Sequence, residues 1–358
     1  MTKNYAFAVF IPENAGGFES RATSVYTQLQ KEEANRKKED EVLVWARVFL
    51  SDITNQLPVI KSSPLGRKLD ECAVSYVEQP LLDGSKITVM ACFAKHAHVE
   101  APAHDTKRIV TPRGTWLFQS VRFSDNEIKG LNGKEQTILA FERHKKLLES
   151  KGMSVADNTV RTWLYVRDID SNYMDVVKGR NDFFAKNGLT TDTHFIASTG
   201  IGGYTDCAKA VVAVDFLSQE NLDADNVKYL HATEHLNPTA EYGVAFERGT
   251  ALYNDENIVS FISGTASIDK FGNCIHLNDP ERQTERLVEN IAALLADAES
   301  SLDDLQMVIA YLRDPADKET VEAVLKKHLG KVPTVITEAR VCRPQWLVEA
   351  ECIACKSR

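Results

Sequence analysis

One alternating strand that ends in an aspartate occurs three times in this chain of 358 residues. The copies are Val42–Ile53, Val160–Ile169 and Leu305–Pro315, and a helix-like segment precedes each of them. A supersecondary unit that recurs along a chain indicates repeated domains, which bury their apolar faces against one another. We therefore expect an α+β fold of three similar units in a pseudo-threefold arrangement.

The third copy shows the elements of the unit most clearly. Asp279 and Pro280 predict the start of a helix that packs on the sheet, because aspartate caps helices and proline fits their first position. A second helix is expected over Lys318–Leu329. Polar stretches near residues 110 and 220 divide the chain into units 1–110, 111–220 and 221–358, of which the first is reduced at its start.

Two carboxylates stand at alternate positions of the last strand. Within Leu347–Ile353 the strand period of two places Glu349 and Glu351 on one face and apolar residues on the other. They are either surface residues of a sheet with one wetted face or part of a site. Of the three copies only the third has an acid here, since the aligned residues in the others are Val89 and Val212.

The net charge of −9 and the pI of about 5.6 argue against nucleic acid as a partner, because phosphate backbones require a basic face. A small anionic substrate would have to be held by locally placed arginines. No apolar run is long enough for a membrane span, and the N-terminus lacks the pattern of a signal peptide, so cytoplasmic location is the expectation.

A histidine-containing stretch has metal-ligand residue types, namely His96, His98, Glu100 and His104. It falls in a predicted linker with lysines on both sides, so we expect no metal site there. No glycine pair lies in the strand–GxGxxG–helix setting of a nucleotide site.

Two segments of the third copy, Ile262–Ile268 and Leu347–Glu351, resemble the RidA/YjgF (endoribonuclease L-PSP-like) family. Its small domains have the chorismate mutase-like fold and assemble as trimers with active sites between subunits. The resemblance implies RidA-like units with mixed sheets and helices on one face. It also implies either a monomer with a pseudo-trimeric core or a homo-oligomer.

The chorismatase branch of that superfamily resembles the chain over a longer stretch. The shared series, in order, is Arg161–Tyr165, Gly179–Arg180, Ser198–Gly202, Glu241–Arg248, Ser263–Ile268 and Cys342–Arg343. The resemblance implies metal-free and cofactor-free cleavage of chorismate, or of a related enol-ether acid, to a hydroxybenzoate-type product and pyruvate. The pocket would lie between the second and third units.

The same resemblance assigns roles to particular residues. Glu349 matches the acid that protonates the enolpyruvyl group. Independently of the resemblance, the nearby carboxylate of Glu351 would help Glu349 keep its proton, because a second negative charge raises the pKa. The implied substrate-binding residues are Arg248, Tyr242, Cys342, Arg161 and Arg180.

Two other functions remain open. One is a RidA-type enamine/imine deaminase, although Ala197 and about Pro333 stand where that family has its carboxylate-binding arginine. The other is a RidA-like protein that binds a metabolite without catalysis.

Overall fold

The computed structural model describes residues 4–13 and 15–358, except for the side chain of Tyr242. The strands form three sheets. The first contains β1 (Tyr5–Phe10), β2 (Glu41–Leu50), β3 (Ala73–Glu78) and β4 (Ile87–Lys95). The second contains β5 (His98–Ala103), β6 (Thr106–Thr111), β7 (Gly114–Val121), β8 (Thr159–Val166), β9 (Ala197–Gly202) and β10 (Val212–Glu220). The third contains β11 (Val227–Tyr229), β12 (Gly249–Tyr253), β13 (Asn257–Ala266), β14 (Leu305–Leu312), β15 (Thr334–Glu338) and β16 (Val348–Ser357).

Helices accompany each sheet. They are α1 (Phe18–Arg36), α2 (Ile53–Ser62), α3 (Pro64–Leu69), α4 (Gly133–Glu149), α5 (Val155–Asn158), α6 (Ile169–Lys186), α7 (Pro280–Asp297) and α8 (Lys318–Leu329). The predicted start of α7 is confirmed, since the Asp279 side chain accepts a hydrogen bond from the backbone N–H of Arg282. No helix in the described part of the chain is long and apolar enough to cross a membrane.

The strand order shows that the units are repeats. The second sheet runs β5-β6-β7-β10-β8-β9 and the third runs β11-β12-β13-β16-β14-β15, which is the same topology. The first sheet, β1-β4-β2-β3, has the last four positions of that order and no leading hairpin. Each sheet is mixed, with one parallel pair: β2 with β3, β8 with β9, and β14 with β15. The expected α+β fold of repeated RidA-like units is confirmed.

The hairpin of β5 and β6 changes one expected boundary. This hairpin pairs with β7 and therefore belongs to the second sheet, so the break expected near residue 110 lies inside β6. The sheets divide instead between Lys95 and His98, because the polar stretch that resembles a linker is an exposed strand pair. The break expected near residue 220 lies between β10 and β11.

The units pack in a closed ring. Strand β3 packs on β6 and β7, β9 packs on β12 and β13, and β14 packs on β1. One apolar core contains residues from all three sheets, whereas separate cores join the first and second sheets to their own helices. The ring closes about a pseudo-threefold axis, which leaves one interface between each pair of units.

His144 of α4 makes the stability of the second unit depend on pH. The imidazole is fully buried, stacks on Phe216 with ring centroids 4.1 Å apart, and forms hydrogen bonds with Gln119 and Ser218. Burial lowers its pKa to about 3 from 6.5. A lowered folded-state pKa means that the stabilisation is complete above 6.5 and is lost as the pH falls towards 3.

We expect protonation of His144 in the unfolded state to cost the protein about 2 kcal/mol of stability between pH 7 and pH 5. Urea unfolding of the wild type and of His144→Gln at both pH values measures this contribution. The variant should lack that part of the pH dependence. Equal pH dependence in the two proteins would contradict the account.

Candidate functional site

Glu349 lies near the start of β16 and is buried, with 3% of its surface exposed. It pairs with Ala266 of β13 and Tyr311 of β14. Glu351, two residues on, is also buried. Neither carboxylate is therefore a surface residue of a wetted sheet face.

The strand registers identify the positions equivalent to Glu349. Leu312 pairs with Val348 just as Leu50 pairs with Ile87 and Val166 with Val212. The next residues along each strand, Thr88 in the first sheet and Ala213 in the second, are thus the equivalents of Glu349. The alignment with Val89 and Val212 was wrong by one residue in opposite directions, because a run of β-branched residues fixes no register by itself. The third sheet is still the one with an acid at this position.

A β-bulge makes room for the acid. The pairing of β13 with β16 shifts between Ile262 and Thr265, so that Ser263 and Gly264 both lie opposite Glu351. The second sheet has no such shift, since Ser120 pairs directly with Asp215. A Cβ on Gly264 would overlap the carboxylate oxygen Oε1 of Glu349. Bulges with glycine occur where a strand must be displaced next to a functional group.

Gly264→Ala should destabilise the protein by about 1–3 kcal/mol, because the added methyl group forces the buried Glu349 carboxyl to move. Gly17→Ala is the matched control, since a Cβ there meets no atom within 4 Å. Chemical denaturation of both variants measures the difference. Equal stability of the two variants would show that Glu349 does not need the space.

Glu351 accepts hydrogen bonds from all three units. The donors are Arg47 at 2.8 Å, Trp163 at 3.1 Å, Arg161 at 2.6 Å, Tyr311 at 3.0 Å, and Thr199. Burial alone would raise the pKa of this carboxyl. The Arg47 and Arg161 guanidiniums and the hydrogen bonds outweigh burial and hold its pKa below the ordinary value. Glu351 is therefore ionised at neutral pH.

The pKa of Glu349 moves the other way. Burial and, after it, the negative charge of Glu351 raise the pKa, while Arg161 and Arg248 oppose the rise in part, so that the pKa is about 8 instead of 4.5. Two neighbouring carboxyl groups with pKa values displaced in opposite directions are suited to different roles. Glu349 holds a proton at neutral pH, and Glu351 holds a charge.

A narrow pocket with a volume of about 30 Å³ ends at Glu349. It lies between the second and third units. Tyr173 and Arg180 of α6 form one wall, and Arg248, Arg343 and Trp346 form the other. Three guanidiniums around a neutral carboxylic acid make this pocket locally positive in a chain whose net charge is −9. Such a pocket attracts small anions, and arginine holds carboxylates with two parallel hydrogen bonds.

The pocket brings together some of the residues singled out in the sequence. Arg248, Arg180 and Cys342 line it together with Glu349. Arg161 does not line it, because its guanidinium binds Glu351 and Ser263 behind the acid. The side chain of Tyr242 lies outside the described part of the structure.

Tyr173, Arg343 and Phe246 line the pocket without having been predicted. Tyr173 precedes Arg180 by seven residues, which places both on the same face of α6 after two turns. That spacing was a signal in the sequence. The ring of Phe246 lies under the Arg248 guanidinium, 5.4 Å from ring centroid to Cζ, and Phe246 belongs to the segment Glu241–Arg248 that carries the resemblance.

The Cys342 thiol is hydrogen-bonded to the Tyr173 side chain. Burial, followed by the nearby Glu349 carboxyl, raises the pKa of Cys342 to about 12. Burial also raises the pKa of Tyr173 well above its ordinary value. A thiol with so high a pKa is a poor nucleophile, so Cys342 shapes the pocket as a neutral group.

The histidine-containing stretch lies in the exposed β5–β6 hairpin. His98 and Glu100 contact each other at 3.2 Å, and Arg108 pairs with Glu100. Across residues 4–13 and 15–358, no three histidine, cysteine or acidic side chains are grouped so as to hold a metal ion.

The third unit has the most direct match among known protein families. The family model for endoribonuclease L-PSP matches residues 239–356, which include Glu349. A RutC family protein of Pyrococcus abyssi is 35% identical over 98 residues, which cover 27% of this chain and 77% of the relative. A RutC family protein of Saccharolobus solfataricus is 33% identical over 122 residues, which cover 34% and 90% of the two chains.

Among solved structures, a chorismatase crystal structure matches 98% of both chains with a TM-score of 0.69 and 17% sequence identity. The two proteins therefore share a fold. Identity with the RutC proteins over most of their length shows that the chain belongs to the RutC family, and with it to the RidA/YjgF (endoribonuclease L-PSP-like) superfamily.

Proposed function

We propose that the pocket binds chorismate, or a closely related enol-ether acid, and that Glu349 protonates it so that pyruvate is released. The observation that carries this proposal is the raised pKa of Glu349, about 8, at the end of a pocket lined by arginines. Protonation of a carbon atom at neutral pH needs a carboxylic acid that keeps its proton until the substrate is in place. Burial beside ionised Glu351 supplies that property.

The chemistry balances with water as the co-substrate. Glu349 gives its proton to the methylene carbon of the enolpyruvyl group, which leaves an oxocarbenium ion at the neighbouring carbon. Water adds there and loses a proton to the Glu349 carboxylate. The resulting hemiketal breaks its bond to the ring oxygen, which gives pyruvate and a ring alcohol. Loss of water from that ring alcohol gives a hydroxybenzoate.

Arginines of the pocket hold the substrate in this proposal. Arg180, Arg248 and Arg343 line the same space as Glu349, and the charge of an enol-ether acid lies on its carboxylates. The Arg248 guanidinium is itself positioned by a hydrogen bond to the backbone oxygen of Asn237 at 3.0 Å. Each charge-assisted hydrogen bond to a carboxylate contributes about 1.5–3 kcal/mol.

Arg343→Met should raise KM for chorismate about 10- to 100-fold and change kcat less, because the lost interaction forms in both the ground state and the transition state. Arg340→Met is the matched control. Arg340 lies three residues away, has 65% of its side chain exposed, and pairs with Asp170 outside the pocket. Steady-state kinetics of both variants test the assignment, and an unchanged KM in Arg343→Met would remove this arginine from the binding site.

Deamination of enamines and imines is the second candidate, and the match of residues 239–356, which include Glu349, to the endoribonuclease L-PSP family model favours it. Hydrolysis of 2-aminoacrylate also begins with proton delivery to a methylene carbon, so the same acid could serve. Ala197 and Pro333, where that activity would need an arginine, lie at the start of β9 and just before β15. The arginines that line the Glu349 pocket, Arg180, Arg248 and Arg343, lie at other positions of the chain.

One pair of assays separates these functions. The protein is incubated with chorismate while pyruvate is followed, and in parallel with freshly generated 2-aminoacrylate while ammonia is followed. The proposal expects pyruvate from chorismate. Release of ammonia faster than without protein, with no turnover of chorismate, would favour the deaminase instead. Inactivity on both substrates would leave a metabolite-binding protein.

A further inference from the structure

A second cavity lies on the pseudo-threefold axis, where the three sheets face one another. It has a volume of about 90 Å³, and we refer to it as the axial cavity. Its aromatic wall consists of Phe7, Trp45, Trp116, Phe118, Trp163 and Phe261. No described residue lines both the axial cavity and the Glu349 pocket.

The strand registers show that the repeat builds this cavity. Phe7 pairs with Cys92, Phe118 with Leu217, and Phe261 with Ile353, so each sheet contributes one phenylalanine at the same position. All six of these residues line the axial cavity. Three phenylalanines thus surround the axis. The space between them is part of the architecture and does not result from one missing side chain.

Only apolar atoms are exposed to the axial cavity. Water in a protein needs two or more polar partners, so a space without them stays dry and takes up apolar molecules instead. Tyr5, Phe7 and Gln306 line both the axial cavity and an open groove at the protein surface. The groove and the cavity are therefore adjacent.

We propose that the axial cavity is a binding site for small, uncharged aromatic compounds of one ring. The aromatic wall offers such a ring edge and face contacts, and no buried charge or hydrogen-bonding group would be left unsatisfied. Charged ring acids are excluded from it because nothing in the wall pairs with a carboxylate. The site is independent of whether the Glu349 pocket turns over a substrate.

The tryptophans of this chain provide the test. Of four tryptophans, Trp45, Trp116 and Trp163 line the axial cavity, and Trp346 lines the Glu349 pocket. In Trp346→Phe the intrinsic fluorescence therefore reports on the axial cavity alone. Iodobenzene quenches tryptophan on contact, and we expect its titration into this variant to give saturable quenching that chorismate does not displace.

Filling the cavity should abolish the effect. Val259→Phe, added to Trp346→Phe, should weaken the binding of iodobenzene at least roughly tenfold. The substitution fits the scaffold, since Tyr5 and Trp116 occupy the equivalent register positions in the other two sheets. Val110→Phe is the control. It makes the same change in β6, beside Ile109 of the cavity wall, but Val110 itself does not line the cavity, so binding should be unaltered.

Leu217→Phe fills the cavity from the second sheet and serves if Val259→Phe does not fold. Quenching that does not saturate would overturn the proposal. Binding that is unchanged by the filling substitution, or that chorismate displaces, would overturn it equally.

Discussion

Glu349→Gln should lower the rate of pyruvate release from chorismate by about 10²- to 10⁴-fold, which is the usual contribution of a general acid. Glutamine has the size of the protonated glutamic acid and fits beside Gly264, but its amide cannot give a proton to carbon. The loss should therefore appear in kcat with little change in KM. Initial rates over a range of chorismate concentrations measure both.

The matched control for this substitution is Glu322→Gln, on the outer surface of α8, where the carboxylate pairs with Lys326. We expect wild-type rates from it. A Glu349→Gln protein that keeps its fold by circular dichroism and also keeps its rate would show that the acid lies elsewhere.

The same substitution should change how stability depends on pH. The pKa of Glu349 is raised in the folded protein, from 4.5 to about 8. The stabilisation that protonated Glu349 gives the folded state is complete below pH 4.5. It is lost as the pH rises through 8, because the folded state must then bury a second negative charge beside Glu351. The shift corresponds to about 5 kcal/mol in full.

Glu349→Gln removes this titration. We expect the stability of the variant relative to the wild type to increase by about 4–5 kcal/mol between pH 4 and pH 9, with most of the change above pH 5. Guanidinium unfolding across that range measures the difference, in which the other titrating groups cancel. Parallel curves for the two proteins would mean that Glu349 ionises normally.

The three interfaces between units use one scaffold in different ways. Between the first and second units, Asp215 occupies the position of Glu351 and Ser75 that of Thr199. There Arg122 donates hydrogen bonds to both Asp215 and Ser75, just as Arg161 does to Glu351 and Thr199. Between the third and first units, Thr88 replaces the acid. The interface between the second and third units thus combines an acid with arginines in one pocket.

Much of the architecture could be predicted from the sequence, because the repeat is visible as a strand that ends in aspartate three times. Asp279 and Pro280 likewise specify the start of α7 locally. The hairpin of β5 and β6 escaped prediction because its strands are polar and exposed, so no apolar alternation marks them. Its role depends on pairing with β7.

The site was less accessible to prediction. Glu349 stood out because an acid in a buried strand needs a reason, whereas the partners of Glu351 come from strands distant in sequence. Arg47 in the first unit reaches it across 304 positions, and Arg161 turned out to bind the same carboxylate. Contacts of this kind depend on how the units close around the axis, which no local pattern records.

The most direct test of the account is the protonation state of Glu349 itself. A protonated carboxyl group gives an infrared C=O band, which the difference spectrum between wild type and Glu349→Gln isolates for Glu349. This band should be present at pH 7 and should disappear as the pH rises, with a midpoint near pH 8. A band that is already absent at pH 6 would show that Glu349 is ionised like an ordinary glutamate and would contradict its role as the proton donor.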